Sequence, residues 1–277
     1  MTRRRAICSL LGAGAAAVSY PCYFEPRWFE TVRRWVRLKR ANLAKPVRIV
    51  QLSDFHASRF VPMSMIERAI TLAVAEKPDL VCLTGDFITG KSGFSAEEYV
   101  RALKRLSTAA RAFAVLGNHD GGSWAADHRG WSDRRLVERI LEESGVELLH
   151  NRSERLQTGD SRLSLVGVGD LWSDEIDVAH AFAGVDSREP VVLLAHNPDS
   201  KDILWKCRWD LMLSGHTHGG QVIMPFAQSS YAPVVDQRYV AGLKPWGTRW
   251  IHVTRGVGNL GGVRFRCRPE ISVLTVV

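Results

Sequence analysis

The chain has few cysteines, and none of them stands in a metal-binding or redox pattern. There are five cysteines in 277 residues, and no two of them form a Cys-x-x-Cys pair. That absence excludes thiolate zinc sites and thioredoxin-like redox chemistry. Cys82 lies inside an apolar run, where a free thiol behaves as a small hydrophobic side chain. Cys207 and Cys267 could pair in an oxidising compartment, although nothing in their spacing supports a disulfide.

Most of the chain also lacks an excess of charge of either sign. The total charge is +8, but residues 1–48 hold eleven lysines and arginines against two glutamates, a charge of +9, which leaves −1 for the remainder. Because the body is nearly neutral, we expect no specific nucleic-acid binding. A basic N-terminus on a neutral body instead favours targeting or contact with an anionic membrane surface.

Charged residues are missing altogether from Ala6 to Phe24, which follow Arg3-Arg4-Arg5. A basic stretch before a modest apolar run is typical of an export signal, and the paired arginines favour the twin-arginine class over the general secretory route. Ala15-Ala16-Ala17 offers a cleavage site, but nineteen uncharged residues also barely reach the length of a membrane span. Residues 1–25 are therefore predicted to be a cleaved export signal or an uncleaved anchor. Either would place the protein in the periplasm or at the outer face of the inner membrane.

Residues 26–46 mix aromatic and basic side chains. One interpretation is a segment that lies on a membrane surface. The other is a strand or short helix that packs on the body and exposes a basic face. We favour the second, because Val36-Arg37-Leu38-Lys39 has the period-two alternation of a half-buried strand.

No internal repeat and no low-complexity linker follows residue 48, so residues 47–277 are predicted to form one domain. Apolar runs typical of buried strands alternate with segments of helical spacing. The predicted helices are Pro62–Lys77, Ala96–Thr108 and Trp131–Glu143. The predicted strands are Val47–Leu52, Leu80–Leu83, Phe113–Leu116, Val146–His150, Leu163–Val168, Val191–Ala195, Leu211–Leu213, Trp250–Thr254 and Ile271–Val277. The last two strands alternate and are joined by glycine-rich loops, as antiparallel strands would be. The order of elements predicts an α/β sandwich with at least two sheets.

Five of the apolar runs stop at side chains that ligate metals. The motifs are Asp54-Phe55-His56, Gly85-Asp86, Gly117-Asn118-His119-Asp120, His196-Asn197-Pro198 and Gly215-His216-Thr217-His218. Because open α/β sheets present the carboxyl ends of their strands at one edge, these side chains should converge. Taken singly, His196 could be a core histidine, Asn118 a turn residue and Asp54 a helix cap. Together they would leave several buried polar groups uncompensated unless a cation satisfied them. The pattern predicts a composite metal site with Asp86 as the natural bridge between two cations.

These motifs match, in order, those of the calcineurin-like metallophosphoesterases. The resemblance covers residues 47 to about 220, and Gly117–Asp120 together with Gly215–Gly220 is its most specific part. Gly169-Asp170-Leu171-Trp172 and residues 239–270 make the whole chain similar to exported bacterial phosphodiesterases of the YaeI/YkuE type. The resemblance implies a four-layer αββα sandwich of two mixed β-sheets with a dinuclear site between the sheets, and makes residues 47–277 the catalytic domain.

The resemblance also implies a role for each motif residue. Asp54, His56, Asp86 and His218 would hold one divalent cation, and Asp86, Asn118, His196 and His216 would hold the second. Manganese, iron or zinc would suit this mixture of oxygen and imidazole ligands. A hydroxide bridging the two cations would attack phosphorus. His119, oriented by Asp120, would serve the leaving-group oxygen as general acid or as a transition-state donor.

The expected function is hydrolysis of a phosphodiester, lipid- or nucleotide-linked, by a monomer at a membrane surface. The ligand set suits diesters and monoesters alike, and the preference for a diester follows from the resemblance alone. One alternative is a UDP-2,3-diacylglucosamine pyrophosphate hydrolase of lipid A synthesis, a step at the cytoplasmic face that export would exclude. The other is a non-catalytic membrane-surface binding module that uses the basic segment Arg33–Arg40.

Five further residues could border the substrate. Arg255 and Arg264 lie in glycine-rich loops and could meet phosphate, but we expect ordinary surface arginines. Trp124, Trp131 and Trp172 follow predicted ligand positions, and they either line an apolar substrate wall or pack in the core or the rim.

Overall fold

The computed structural model describes residues 19–39, 43, 45–158, 161–186, 188–225 and 232–277. Residues 1–18, which carry most of the predicted export signal, lie outside the described residues, as does Arg40. Among the helices that are described, none is long and apolar enough to cross a membrane. Cys207 and Cys267 are free thiols, so no disulfide joins them.

Twelve strands in the described part of the chain form two six-stranded sheets. The first sheet consists of Glu30–Val36 (β1), Val47–Leu52 (β2), Leu80–Thr84 (β3), Arg111–Val115 (β4), Glu147–Leu148 (β5) and Glu270–Val276 (β12). The second consists of Arg152–Thr158 (β6), Ser161–Gly167 (β7), Val191–Leu194 (β8), Leu211–Ser214 (β9), Gly242–Trp246 (β10) and Arg249–Val253 (β11). Their orders are β1-β12-β2-β3-β4-β5 and β10-β11-β9-β8-β7-β6. β2 to β5 run parallel, and so do β7, β8, β9 and β11, so the carboxyl ends of each parallel set meet at one edge.

Helices cover the outer faces of both sheets. They are Met63–Ala75 (α1), Ala96–Ala109 (α2), Ser123–Asp127 (α3), Arg135–Glu143 (α4), Val178–Ala181 (α5) and Ser200–Ile203 (α6). The helix predicted from Trp131 begins only at Arg135. Asp133 turns the chain before it, since its carboxylate accepts a hydrogen bond of 3.1 Å from the Arg135 backbone N–H.

Three apolar clusters separate four layers. The first packs α1, α2 and α4 on the outer face of the first sheet, for example Ile66 and Leu103 against Val81. The second lies between the sheets, where Phe113 and Leu165 share one cluster. The third covers the outer face of the second sheet. The predicted αββα sandwich of two mixed sheets is therefore confirmed.

Each of the two C-terminal strands has an antiparallel partner, as the sequence predicts, but the two strands lie in different sheets. β11 runs antiparallel to β10 and parallel to β9 in the second sheet, and β12 runs antiparallel to β2 in the first. The glycine-rich loop between them crosses from one sheet to the other, and its Val257 and Gly258 N–H groups donate to the carbonyls of Ser53 and Asp54. Both strands thus help to hold the loop that carries Asp54.

The aromatic and basic segment after residue 26 contributes a strand to the body. β1 pairs parallel with β12 at the edge of the first sheet. Arg33 forms a bidentate ion pair with Glu76 just beyond α1, with an Nε–Oε2 distance of 2.9 Å. The chain therefore packs as the second interpretation predicts, while Arg34, Trp35 and Arg37 stay exposed.

Candidate metal centre

The seven predicted ligands all lie in loops that directly follow parallel strands. They are Asp54 and His56 after β2, Asp86 after β3, Asn118 after β4, His196 after β8, and His216 and His218 after β9. All seven are buried. Five of them have left-handed backbone, with φ of 51° at Asp54, 48° at His56, 56° at Asp86, 70° at His216 and 51° at His218. Residues other than glycine rarely adopt this backbone conformation, and such strain is concentrated at functional sites.

The structure brings these side chains together in three overlapping clusters. The ligand atoms of Asp54, His56 and His218 lie within 4.8 Å of one another. So do those of Asp86, His196 and His216, and those of His56, Asp86 and His119. Asn118 adjoins the second cluster, because its Oδ1 lies 2.9 Å from Nδ1 of His216. Asp86 and His56 each belong to two clusters, so the site is one continuous centre between the ends of the two sheets.

Hydrogen bonds to the backbone turn specific histidine nitrogens toward the centre. His196 donates from Nδ1 to the Thr84 carbonyl at 2.7 Å, which leaves Nε2 facing the Asp86 carboxylate at 3.2 Å. His216 donates from Nε2 to the Pro233 carbonyl at 3.2 Å, which leaves Nδ1 facing inward. A partner on the outer nitrogen fixes the tautomer of a metal-binding histidine in this way.

The polar atoms at the centre are not satisfied by protein groups alone. The Nε2 atoms of His56 and His218 face each other at 3.0 Å, and burial lowers the pKa of both rings, that of His56 to about 3. Oδ2 of Asp54 has no hydrogen-bond partner among the described residues. Nδ1 of His218 is likewise buried without a partner among the described residues. Buried polar atoms left unpaired beside a carboxylate are costly unless a cation lies among them. The residues present therefore fit divalent cations.

The electrostatics of the two aspartates lead to the same conclusion. Burial raises the pKa of Asp54 to about 7, and the charge of Asp86 adds to that effect. Burial also opposes ionisation of Asp86, but the positive charge of His196 beside it holds its pKa well below the ordinary value. Protein groups alone thus compensate the buried charge of Asp86 and leave Asp54 without enough positive charge nearby.

Asp120 holds the backbone of the site and does not orient His119 as predicted. Its Oδ2 accepts hydrogen bonds of 2.8 Å from the backbone N–H groups of Asp86 and Gly117. Its Oδ1 accepts from Phe87 at 2.6 Å and from Ile88 at 3.3 Å. Within the described residues it makes no hydrogen bond to the His119 ring. Sequence proximity suggested an acid–histidine pair, whereas the turn after β4 directs the carboxylate toward the loop after β3.

His119 lies at the exposed side of the centre. Its ring is half-buried and stands edge-on to that of His56, with centroids 4.9 Å apart. Burial lowers the pKa of His119, so the ring is held neutral. Its backbone N–H donates to Oδ1 of Asp86 at 2.9 Å, which ties its position to the central carboxylate.

Trp124 and Trp172 lie at this centre, and Trp131 does not. Trp124 is edge-on to His119 at 4.7 Å between centroids, and Trp172 is edge-on to His216 at 4.3 Å. Trp131 instead packs against the first apolar cluster, with the ammonium of Lys91 over its ring. Of the two interpretations of these tryptophans, the substrate wall suits the first two residues and rim packing suits the third.

The expectation that Arg255 and Arg264 are ordinary surface arginines is wrong. Arg264 is fully buried and donates to backbone carbonyls, including those of Gly258 at 2.9 Å and Cys267 at 3.0 Å. Arg255 is paired with Glu270 at 2.6 Å and with Glu30 at 2.8 Å. These bonds hold the loop that passes Asp54. None of them is made to a predicted metal ligand.

Asp170 is a buried carboxylate near the centre to which the sequence analysis gave no role. Its Oδ2 accepts a hydrogen bond of 2.7 Å from the Ser173 backbone N–H, and its Oδ1 has no partner among the described residues. Burial raises its pKa, against the attraction of His196. The only sequence signal was its position after the strand-like run Leu163–Val168, two residues before Trp172.

Comparison with known proteins identifies relatives along the whole chain. A family model described as calcineurin-like phosphoesterase matches residues 47–220. Phosphodiesterase YaeI of Escherichia coli is 40% identical over 265 residues, which cover 96% of this chain and 94% of that protein. The uncharacterized metallophosphoesterase YkuE of Bacillus subtilis is 28% identical over 287 residues, covering 100% of this chain and 98% of that protein. The UDP-2,3-diacylglucosamine pyrophosphatase LpxG of Chlamydia muridarum is 25% identical over 303 residues, covering 91% and 90%.

Proposed function

Because this chain belongs to the calcineurin-like phosphoesterase family, we propose that it is a phosphodiesterase that works with two divalent cations. The similarity to a phosphodiesterase along nearly the whole chain supports the diester as substrate. The observation that carries the proposal is the position of Asp86, whose carboxylate belongs to two ligand clusters at once. A bridging carboxylate is what two adjacent cations require.

The family resemblance assigns the ligands to two cation sites. Asp54, His56, Asp86 and His218 would hold one cation, and Asp86, Asn118, His196 and His216 would hold the other; the three clusters agree with this in that Asp54, His56 and His218 lie together and so do Asp86, His196 and His216. Two such cations, when bound, supply an activated water molecule and neutralise the phosphate oxygens. Thr84 and Pro233 keep His196 and His216 in the tautomers that present the inward nitrogen.

His119 acts on the leaving group. It is the one motif histidine that is half-buried, and it is tied to Asp86 through its backbone N–H. A neutral ring can donate its N–H to the leaving-group oxygen as negative charge develops there. Asp120 contributes by holding the backbone around Asp86 and Gly117 in place.

Metal reconstitution tests this function. Purified protein is loaded with manganese and assayed against bis-p-nitrophenyl phosphate and p-nitrophenyl phosphate, with bound metal counted by elemental analysis. We expect two equivalents of metal, a preference for the diester, and loss of both metal and activity in Asp86→Ala. Glu143→Gln removes one negative charge at an exposed position of α4 and serves as the control. Full activity in metal-free protein, or in Asp86→Ala, would contradict the proposal.

A second candidate is a pyrophosphatase that cleaves a nucleotide-linked lipid precursor. It is favoured by the similarity to the UDP-2,3-diacylglucosamine pyrophosphatase LpxG, which also extends over most of both chains. Assay of the manganese-loaded protein with UDP-2,3-diacylglucosamine, beside the simple diester, separates the two. Release of UMP with a far higher kcat/KM than for the simple diester would select the second candidate.

We also propose that the protein is exported and works at a membrane surface. Arg3-Arg4-Arg5 before an uncharged stretch supports export through the twin-arginine route. Exposed aromatic residues at the end of that stretch, Tyr23 and Phe24, and after it, Trp28 and Trp35, support contact with a bilayer. A fused reporter that functions only outside the cytoplasm should be active, and replacing Arg3 and Arg4 by lysine should abolish that activity. Reporter activity that survives this change would favour the general secretory route.

A further inference from the structure

The exposed side of the metal centre is bordered by tryptophans. Asp54 and His56 have no exposed surface, whereas His216 and His218 each retain 5% and His119 is half-buried. Two of these three less covered histidines stand edge-on to an indole, His216 to Trp172 with planes at 89° and His119 to Trp124 with planes at 70°. A substrate that reaches the centre from this side must lie against the indoles.

The two indoles form one aromatic surface, which we name the Trp124–Trp172 platform. Their centroids are 5.4 Å apart and their planes are tilted by 37°. His128, directly after α3, supports the platform, since its ring stacks on Trp124 at 3.8 Å with planes 13° apart. Its Nδ1 also lies 2.7 Å from the Trp124 carbonyl oxygen. Trp172 is 39% exposed, so the platform has a face that a ligand can cover.

We propose that the Trp124–Trp172 platform binds a planar aromatic group of the substrate, placed in the alcohol that leaves. This inference rests on the proposed diesterase function and names its substrate class. The leaving side is assigned because Trp124 contacts His119, the group that serves the leaving-group oxygen. Stacking of an aromatic ring on such a surface contributes enough binding free energy to set substrate preference.

The geometry favours a planar ring over a cationic group. Quaternary ammonium groups are recognised by several aromatic faces that enclose them. The platform is an open surface, because its two indoles are tilted by only 37° and His128 lies nearly parallel to Trp124. An open surface maximises contact with one flat ring. A nucleobase and an aryl group share this chemistry, and they can be separated by experiment.

Symmetric diesters test the proposal with the manganese-loaded wild-type protein. Dibenzyl phosphate and bis(cyclohexylmethyl) phosphate have the same carbon skeleton and differ in whether the ring is planar. We expect kcat/KM to favour dibenzyl phosphate by at least tenfold. In Trp172→Ala the ratio should fall to about one, and Trp172→Phe should restore most of it. Trp205→Ala removes another exposed tryptophan, 56% exposed against 39% for Trp172, and should leave the ratio unchanged.

A binding measurement keeps the inference independent of turnover. Benzylphosphonate and cyclohexylmethylphosphonate are titrated into the manganese-loaded protein, with quenching of intrinsic tryptophan fluorescence as the readout. Tighter binding of benzylphosphonate that disappears in Trp172→Ala supports the platform even if neither diester is hydrolysed, in which case only the proposed function fails. Equal binding and equal rates for planar and non-planar ligands overturn the inference.

Further phosphonate ligands decide whether the bound ring is a nucleobase or a simple aryl group, and whether the group is planar or cationic. Uridine 5′-phosphonate and arylmethyl phosphonates distinguish a nucleobase from a simple aryl group, and preference for either over the cyclohexyl ligand supports the inference. A phosphonate with a trimethylammonioethyl group tests the cationic class. Tighter binding of this ligand than of benzylphosphonate, lost in Trp172→Ala, overturns the planar assignment in favour of a choline-like group.

Discussion

At the residue scale, Asp120 is a motif residue whose contacts are with the backbone around the site. Its carboxyl group accepts four backbone N–H groups, from Asp86, Phe87, Ile88 and Gly117. A buried N–H that loses its acceptor is costly. The precision with which Asp86 is placed therefore depends on Asp120.

Asp120→Asn should weaken both the fold and the metal site. An amide replaces one acceptor oxygen by an NH₂ group, which leaves two backbone N–H groups facing a donor. We expect a loss of roughly 3 kcal/mol in the free energy of unfolding, measured by urea denaturation of the metal-free protein. Manganese affinity should fall about 10–100-fold, as happens when groups that orient ligands are lost.

Asp133→Asn is the matched control for that change. Its carboxylate is 42% exposed and pairs with the neighbouring Arg135, so the loss should stay below about 1 kcal/mol. If Asp120 oriented His119 instead, Asp120→Asn would lower kcat while stability and manganese affinity stayed at the wild-type values.

The metal-ligand candidates could be found from the sequence because each one ends an apolar run. Asp86 directly follows a glycine after β3, and that pattern can be recognised in the sequence without knowing any tertiary contact. Arg264 could not be found in this way. Its burial depends on carbonyls of Gly256, Gly258 and Cys267 that converge only when the loop folds. A single arginine in a glycine-rich loop carries no periodic signal of that arrangement.

At the element scale, the close approach of the loops after β3 and β4 requires glycine. A Cβ added at Gly117 would lie 2.6 Å from the Asp86 backbone nitrogen and 2.8 Å from Cε1 of His196. Gly117 does not have positive φ, so steric overlap alone forbids a side chain there. The glycine thereby allows Asp86 and His196, from different sheets, to meet.

Gly117→Ala should separate these two ligands. Overlap with backbone atoms forces a shift that costs roughly 1–3 kcal/mol, and we expect manganese affinity to fall at least tenfold in a titration followed by calorimetry. Gly184→Ala is the control, because its φ of +81° adds strain but its Cβ would contact nothing within 4 Å. That control should lose some stability and retain manganese affinity. Equal manganese affinity in the two variants would show that metal binding does not depend on the close approach of these loops.

Strand positions could be predicted from the sequence more reliably than strand partners. Val47–Leu52 is observed with the predicted bounds, since a continuous apolar run is a local signal. The pairing of β11 and β12 with different sheets depends on a loop that crosses between the sheets, fastened by Arg255 and Arg264. Local alternation alone could not reveal that crossing.

At the scale of the whole molecule, one edge of the protein carries exposed aromatic and basic side chains. Trp28 is 54% exposed and Trp35 is 72% exposed, and Arg34 and Arg37 beside Trp35 are also exposed. β1 is the outermost strand of the first sheet. This combination is typical of residues at the interface between bilayer and water.

Brominated lipids should quench Trp28 and Trp35 selectively. The full chain is bound to vesicles that contain brominated phosphatidylglycerol, and tryptophan fluorescence is compared with that on unbrominated vesicles. We expect Trp28→Phe with Trp35→Phe to remove most of the quenching, while Trp205→Phe, at an exposed position elsewhere, leaves it in place. Quenching that persists in the double variant would place another face of the protein on the membrane.

The proposed cations should also join the two halves of the sandwich. Asp54, Asp86 and Asn118 come from the first sheet, whereas His196 and His216 come from the second. Without cations these groups face one another across the sheet edges with unpaired atoms, as Oδ2 of Asp54 shows. Cations that bind only the folded state stabilise it in proportion to the logarithm of their concentration.

Manganese should therefore raise the unfolding temperature of the whole protein. At a concentration 100 times the dissociation constant, one site adds about 2.7 kcal/mol, which corresponds to roughly 5–10 °C for a chain of this size. Hydrogen exchange should slow in the loops after β2, β3, β8 and β9 together, because ligands from both sheets are held at once. Asp86→Ala should lose most of the temperature shift. Protection confined to the loops of one sheet would mean that the cations do not bridge the sandwich.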